Sequence, residues 1–249
     1  MPNRVPSRLP SPDISYTIRV SRRARYARLK VSPHEGLIVV VPEGFDRKLV
    51  PELVESRRLW ITKVQGSFDL RRVSGVSDTG AALPSTIDLQ GIGESWRVSY
   101  AVGKRAAVSV RELQDGELQL NGAVHDVKLC LSAIESWLRR RASGKLVPQF
   151  ERLASIHGFS FSAVSVRKQR SRWGSCSSRG AISLNLKLLF LPPMLVRYIM
   201  IHELCHTRHM NHSRKYWSEV GCFDPDFLAH DREMRHAWRY VPGWLVVRE

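Results

Sequence analysis

The sequence predicts an α+β protein: a β-rich N-terminal half followed by a mainly helical core that carries a short antiparallel sheet. Three observations carry that reading. Residues 14–42 and 86–120 hold short apolar–polar alternations of strand period. From about residue 123 the apolar positions recur at helical spacing instead. The Pro192-Pro193 pair then stops the chain and opens a further helical stretch.

In order, Tyr16, Ile18 and Val20, then Leu29 and Val31, then Leu37 to Val41 read as paired strands, with a turn at His34-Glu35-Gly36. Asp46 is placed to cap a helix running to about Gln65, with Leu49, Leu53, Leu59, Trp60 and Val64 on its apolar side. Arg71 to Ser85 is rich in Gly and Ser and reads as a connection. Four strands are expected at Thr86–Gln90, Trp96–Tyr100, Ala106–Val110 and Glu117–Leu120, the last closed by Asn121-Gly122. His125 to His157 is one long helical pattern burying Val127, Leu131, Ile134, Leu138, Leu146, Phe150 and Leu153, which Gly144 and Pro148 are expected to bend or split. Phe161–Arg167 and Gly180–Leu186 alternate as strands. Helices follow from Pro193, from Ser213 to Val220 and from Pro225 to Tyr240. The organisation expected is a flexible tail at 1–13, a β-rich region with one helix at 14–122, and a helical domain at 123–249.

Composition sets limits on function. With 43% hydrophobic and 25% charged residues, this is an ordinary globular chain able to bury a sizeable core. The first ten residues contain no apolar h-region, which argues against a secretory signal. The longest apolar stretch, Leu188 to Val196, is broken by two prolines, so no membrane association is expected. Cys130, Cys176, Cys205 and Cys222 form no C-x-x-C pair, which points to free thiols in a reducing, cytoplasmic setting. The net charge of +16 attracts polyanions and makes nucleic acid a candidate partner; a solvated basic surface is the competing reading. The densest run, Arg22 to Lys30, comes with no helix-turn-helix, zinc-finger or RNP-like signature.

The chemistry is concentrated in Ile199–His212, which contains His202-Glu203-Leu204-Cys205-His206 and then His212. Residues four apart on a helix differ by about 400° and about 6 Å of rise, so both imidazoles reach one Zn²⁺ from the same face. Glu203 is displaced around the helix, where a carboxylate reaches a water at the metal and not the metal itself, as a general base must. An open tetrahedral site needs a third ligand. On a continued helix His212 would lie roughly 15 Å from His202. The chain must therefore turn back, with Asn211, tolerant of left-handed backbone, as the expected pivot. The 202/206/212 spacing matches H-E-x-x-H-x-x-G-x-x-H, with His209 in place of the glycine. That departure argues against a metzincin fold but not against the ligand spacing. The competing reading of His212 is a residue that merely precedes Ser213, an N-cap for the next helix. His209 reads as a helix-face residue and Cys205 as core packing.

At Arg172-Trp173-Gly174-Ser175-Cys176-Ser177, Ile182-Ser183-Leu184-Asn185, His202–His206 and Asn211-His212-Ser213 with Tyr216-Trp217, the chain resembles the YgjP-like metallopeptidases, distant relatives of the SprT-like zinc peptidases. The likeness runs from the strands near Tyr16 to the last helix. It implies a zincin-like catalytic domain at 123–249 and a Zn²⁺-dependent peptidase acting on peptide or protein substrates. His202, His206 and His212 carry over as ligands and Glu203 as base. Tyr216 stands where relatives often have Phe.

Trp173, Ser183 and Asn185 are candidate substrate-binding residues. Glycine beside tryptophan permits close backbone approach and an aromatic cleft wall. The strand Ala181–Asn185 is expected to form an edge where an extended peptide adds; a structural turn packed on the helix is the competing reading. Cys176 has no assignable histidine partner and reads as structural. Arg172, His209, Tyr216 and His236 are all candidates for the oxyanion. Activity is expected to fall below roughly pH 6, because ligand histidines must be neutral. The alternative function is a nucleic-acid-associated protein, or a protease acting on nucleic-acid-bound proteins through its basic surface.

Overall fold

The computed structural model describes residues 14–32, 36–62 and 83–246. The N-terminal tail, most of the His34 turn, the end of the first expected helix and most of the Arg71–Ser85 connection lie outside these residues. The chain divides into two compact units, residues 1–77 and 78–249.

In the first unit β1 (Tyr16–Val20), β2 (Arg28–Ser32) and β3 (Gly36–Val41) form a sheet in the order β1-β3-β2. β1 runs parallel and β2 antiparallel to β3. Strand alternation turns Leu37, Val39 and Val41 to one face, where they share a core with Val50 and Val54 of α1 (Val50–Ser56) and with Ile61. Asp46 accepts from the Lys48 amide at the helical turn that precedes α1, as its capping position predicts.

The second unit opens with β4 (Thr86–Leu89), β5 (Glu94–Val102), β6 (Val108–Glu112) and β7 (Glu117–Gly122), ordered β4-β5-β7-β6. Their buried residues Ile87, Leu89, Trp96, Leu118 and Leu120 belong to the same core as the helices. The change of composition near residue 123 therefore lies inside this unit, at the start of α2 (Val127–Ile156). Asp126 caps α2 by accepting from the amides of Lys128 and Leu129. Arg141 reaches from α2 to the sheet, donating to both carboxylate oxygens of Glu94 at 2.7 Å. At Gly91 the chain comes so near the helical part that a Cβ would stand 2.4 Å from the Leu188 carbonyl and 2.9 Å from Val196.

The split expected in α2 does not occur: the helix runs unbroken for 30 residues through Pro148. The carbonyl that loses its donor to Pro148 belongs to Gly144, four residues earlier. Both residues are exposed, so water can satisfy it.

Next come β8 (Ala163–Arg167), β9 (Gly174–Cys176) and β10 (Ala181–Asn185), ordered β8-β10-β9. The fold is α+β as expected, with this short sheet mixed: β10 pairs parallel with β8 and antiparallel with β9. β10 is thus the central strand, and the edge expected at Ala181–Asn185 falls to β9 instead. α3 (Pro193–Cys205) begins on its proline and is buried almost all round. α4 (Arg214–Phe223) is capped by Ser213, which accepts from the Tyr216 amide, and α5 (Phe227–Met234) follows. No helix among the described residues is long and apolar enough to cross a membrane.

Candidate metal centre and active site

α3 brings His202 and His206 onto one face, and the chain after it returns His212 to the same point. The Nε2 of His202 lies 3.3 Å from that of His206 and 3.3 Å from that of His212. The three ring nitrogens all fall within 4.8 Å of one another. Metal–nitrogen bonds of about 2.0–2.1 Å in a tetrahedron have edges of about 3.3–3.4 Å, so two of the three edges match a zinc site.

The return does not use Asn211 as a left-handed pivot. Among the described residues Asp115 is the one non-glycine with positive φ. The turn is built from tightened helical bonds instead: the amides of Arg208 and His209 both donate to the Cys205 carbonyl, at 3.1 and 2.9 Å.

The surroundings fix the chemistry of the rings. His206 Nδ1 is 3.0 Å from the His209 carbonyl, which accepts its proton and leaves Nε2 as a lone pair. Burial, opposed by that bond, lowers the His206 pKa; burial and the charges of the other two rings push His202 down to about 3. Both are therefore neutral near pH 7, as ligands must be. Tyr216 is fully buried and stacks on His206 with ring centroids 4.6 Å apart. Its hydroxyl donates to the His202 carbonyl at 3.1 Å, a bond that phenylalanine at this position would lack.

Glu203 is 5% exposed, and its Oε2 meets no hydrogen-bond partner among the described residues. Burial raises its carboxyl to about 8, with Arg172 acting in the opposite direction. β9 lies directly on this side chain: a Cβ on Gly174 would stand 2.5 Å from Oε1.

The other sequence candidates fall into place around this centre. Asn185 is fully buried, donating to the carbonyls of Gln169 and Arg172 and accepting from the Lys187 amide. Ser183 Oγ accepts from the Gln169 side chain. Both hold the loop that leads into β9. Trp173 packs against Trp238 with ring centroids 4.6 Å apart and planes tilted by 36°. Of the oxyanion candidates, His209 turns its ring toward Glu219, at 3.1 Å, and Tyr216 has committed its hydroxyl. His236 and Arg172 are exposed, and of the two it is the Arg172 charge that acts on Glu203. The Cys176 thiol is pushed up by burial and by Glu203, the reverse of nucleophile activation. Cys205 is core packing, with its thiol raised to about 12 chiefly by burial.

The sequence profile described as YgjP-like, metallopeptidase domain, matches residues 25–237. The chain belongs to the YgjP-like family. Membership makes it a metallopeptidase in class, and the histidine triad is where a YgjP-like chain of this sequence can hold a metal. No curated protein and no solved structure matches the chain. Two supports of this YgjP-like centre escaped sequence reasoning: the His209 backbone carbonyl, which no side-chain pattern reveals, and Glu219, whose partners are set by tertiary packing.

Proposed function

We propose that the chain is a zinc-dependent endopeptidase in which His202, His206 and His212 hold the ion through Nε2 and Glu203 is the general base. The observation that carries this reading is the pair of 3.3 Å nitrogen separations about His202. Neutral imidazoles suit Zn²⁺, which when bound supplies Lewis acidity toward water and a substrate carbonyl. Glu203 takes the proton of the attacking water on its carboxylate and returns it to the leaving amine nitrogen. Arg172 favours the ionised carboxylate that this role requires. β9 pairs with β10 on one side only among the described residues, so an extended peptide adds along its other edge, across Glu203 and beside Trp173. Asn185 and Ser183 serve this edge indirectly, by holding the preceding loop.

The test is hydrolysis of a quenched-fluorescent peptide pool by the zinc-loaded chain. Wild type should cleave, and Glu203→Gln at equal zinc content should not. Full activity in Glu203→Gln would sink the mechanism.

A second reading, a peptidase directed to nucleic-acid-bound proteins, draws on where the charge lies. Residues 1–77 carry 15 Lys and Arg against 7 Asp and Glu, half of the chain's net +16 in under a third of its length. Oligonucleotide binding that weakens steeply with salt would support it; negligible, salt-insensitive binding leaves the plain peptidase.

A further inference from the structure

The turn after α3 is gripped from outside by one carboxylate. Glu219, on α4, places Oε1 2.6 Å from an Arg208 guanidinium nitrogen and Oε2 3.1 Å from His209 Nε2. Its side chain is 15% exposed; Oε2 is buried and makes no hydrogen bond among the described residues, so the His209 ring meets it at contact distance only, while Oε1 carries the hydrogen bond to Arg208. Arg208 is fixed at its other end as well: it donates to the Gly158 carbonyl at 2.7 Å and lies over the Phe159 ring at 4.1 Å. Arg208 is thus tied both to α4 and to the turn that ends α2, and the next side chain, His209, lies against the same carboxylate. The peptide between them leads to the His209 carbonyl, the acceptor of the His206 Nδ1 proton.

We propose that Glu219 is a positioning residue for the metal ligand His206, acting through the Arg208–His209 turn. This rests on the triad being a metal site but not on the substrate or on the identity of the base. An exposed ion pair contributes little to stability and would leave a ligand untouched. Glu219 differs in being largely buried and in gripping the segment whose carbonyl sets the tautomer and tilt of His206. With the turn released, the Nδ1 proton of a ring that is 8% exposed loses its acceptor, and Nε2 is no longer held toward His202 and His212. Loss of such an outer partner typically weakens metal binding about 10–100-fold.

The experiment is zinc affinity of the full chain by chelator competition, for wild type, Glu219→Gln and Glu219→Ala. Imidazole ¹⁵N spectra of the zinc-loaded forms and thermal unfolding of the metal-free forms accompany it. Glu219→Ala is expected to bind zinc about 10–100-fold more weakly and to lose the single Nδ1–H signature of His206. Glu219→Gln, which keeps the size and an acceptor for Arg208, should fall between it and wild type, and it remains informative if the alanine variant does not fold. A role confined to packing would lower the metal-free unfolding midpoint while leaving zinc affinity and the His206 resonances unmoved, and that result overturns the proposal. Wild type that binds no zinc would instead overturn the metal reading beneath it.

Discussion

Gly174 and Glu203 are in direct steric contact: a Cβ on the glycine would lie 2.5 Å from Oε1, 2.7 Å from Cγ and 2.8 Å from Cδ of the glutamate. The backbone of β9 therefore forms one wall of the carboxylate's position, and a methyl group there forces either the strand or the side chain to move. Gly174→Ala should keep zinc, because it touches no ligand, while cutting peptide hydrolysis by about 10²–10⁴-fold, the range associated with a general base. Overpacking should also cost about 1–3 kcal/mol of stability. Zinc content and turnover measured on the same preparation check this; unchanged turnover would mean that Glu203 moves aside without consequence.

The buried groups of the triad helix set a pH signature for the metal-free protein. Burial, partly opposed by Arg172, raises Glu203 from 4.5 to about 8. Between those values the unfolded chain has released a proton that the folded chain keeps, so stability falls as pH rises. Burial and the neighbouring imidazole charges lower His202 from 6.5 to about 3, so in that window the unfolded chain holds the extra proton and stability rises with pH. The two slopes oppose one another between pH 4.5 and 6.5, and above 6.5 only the Glu203 decline remains. Thermal midpoints of metal-free wild type should drop from pH 6.5 to 8, and Glu203→Gln should flatten that drop. Equal declines in both proteins would refute the assignment.

Arg141 joins α2 to the four-stranded sheet through Glu94, which also accepts from the Trp96 indole at 3.1 Å. The paired side chains are 23% and 18% exposed, so removing the cation leaves a carboxylate that is neither free in water nor fully partnered. Arg141→Ala should destabilise the chain by about 1–3 kcal/mol, less than for a fully buried pair because solvent screens the residual charge. Urea unfolding at constant m-value measures it.

Much of this was legible in the sequence because it is local. The apolar run Leu37 to Val41 marked β3, and Asp46 and Ser213 both cap as their positions suggest. The His202–Glu203–His206 arrangement follows from helix geometry alone. What escaped depends on contacts distant in the chain. β9 is only Gly174-Ser175-Cys176, too short to show a period, and it exists because β10 pairs with it. Asn211 has the composition of a pivot, but the bonds to the Cys205 carbonyl turn the chain first. The composition change at residue 123 marks a new helix and not a new core, since Leu118 and Ile134 are buried in one cluster. Glu219 looks like any surface acid until α4 folds back on the turn.

The proposed three-histidine centre is tested most directly by metal content, measured in purified wild type, Glu203→Gln and His212→Ala. One zinc per chain in wild type and in Glu203→Gln, with loss in His212→Ala, is the predicted result, because the proposed centre uses His212 as a ligand and Glu203 as the base. Zinc absent from wild type, or retained undiminished in His212→Ala, would contradict a three-histidine site.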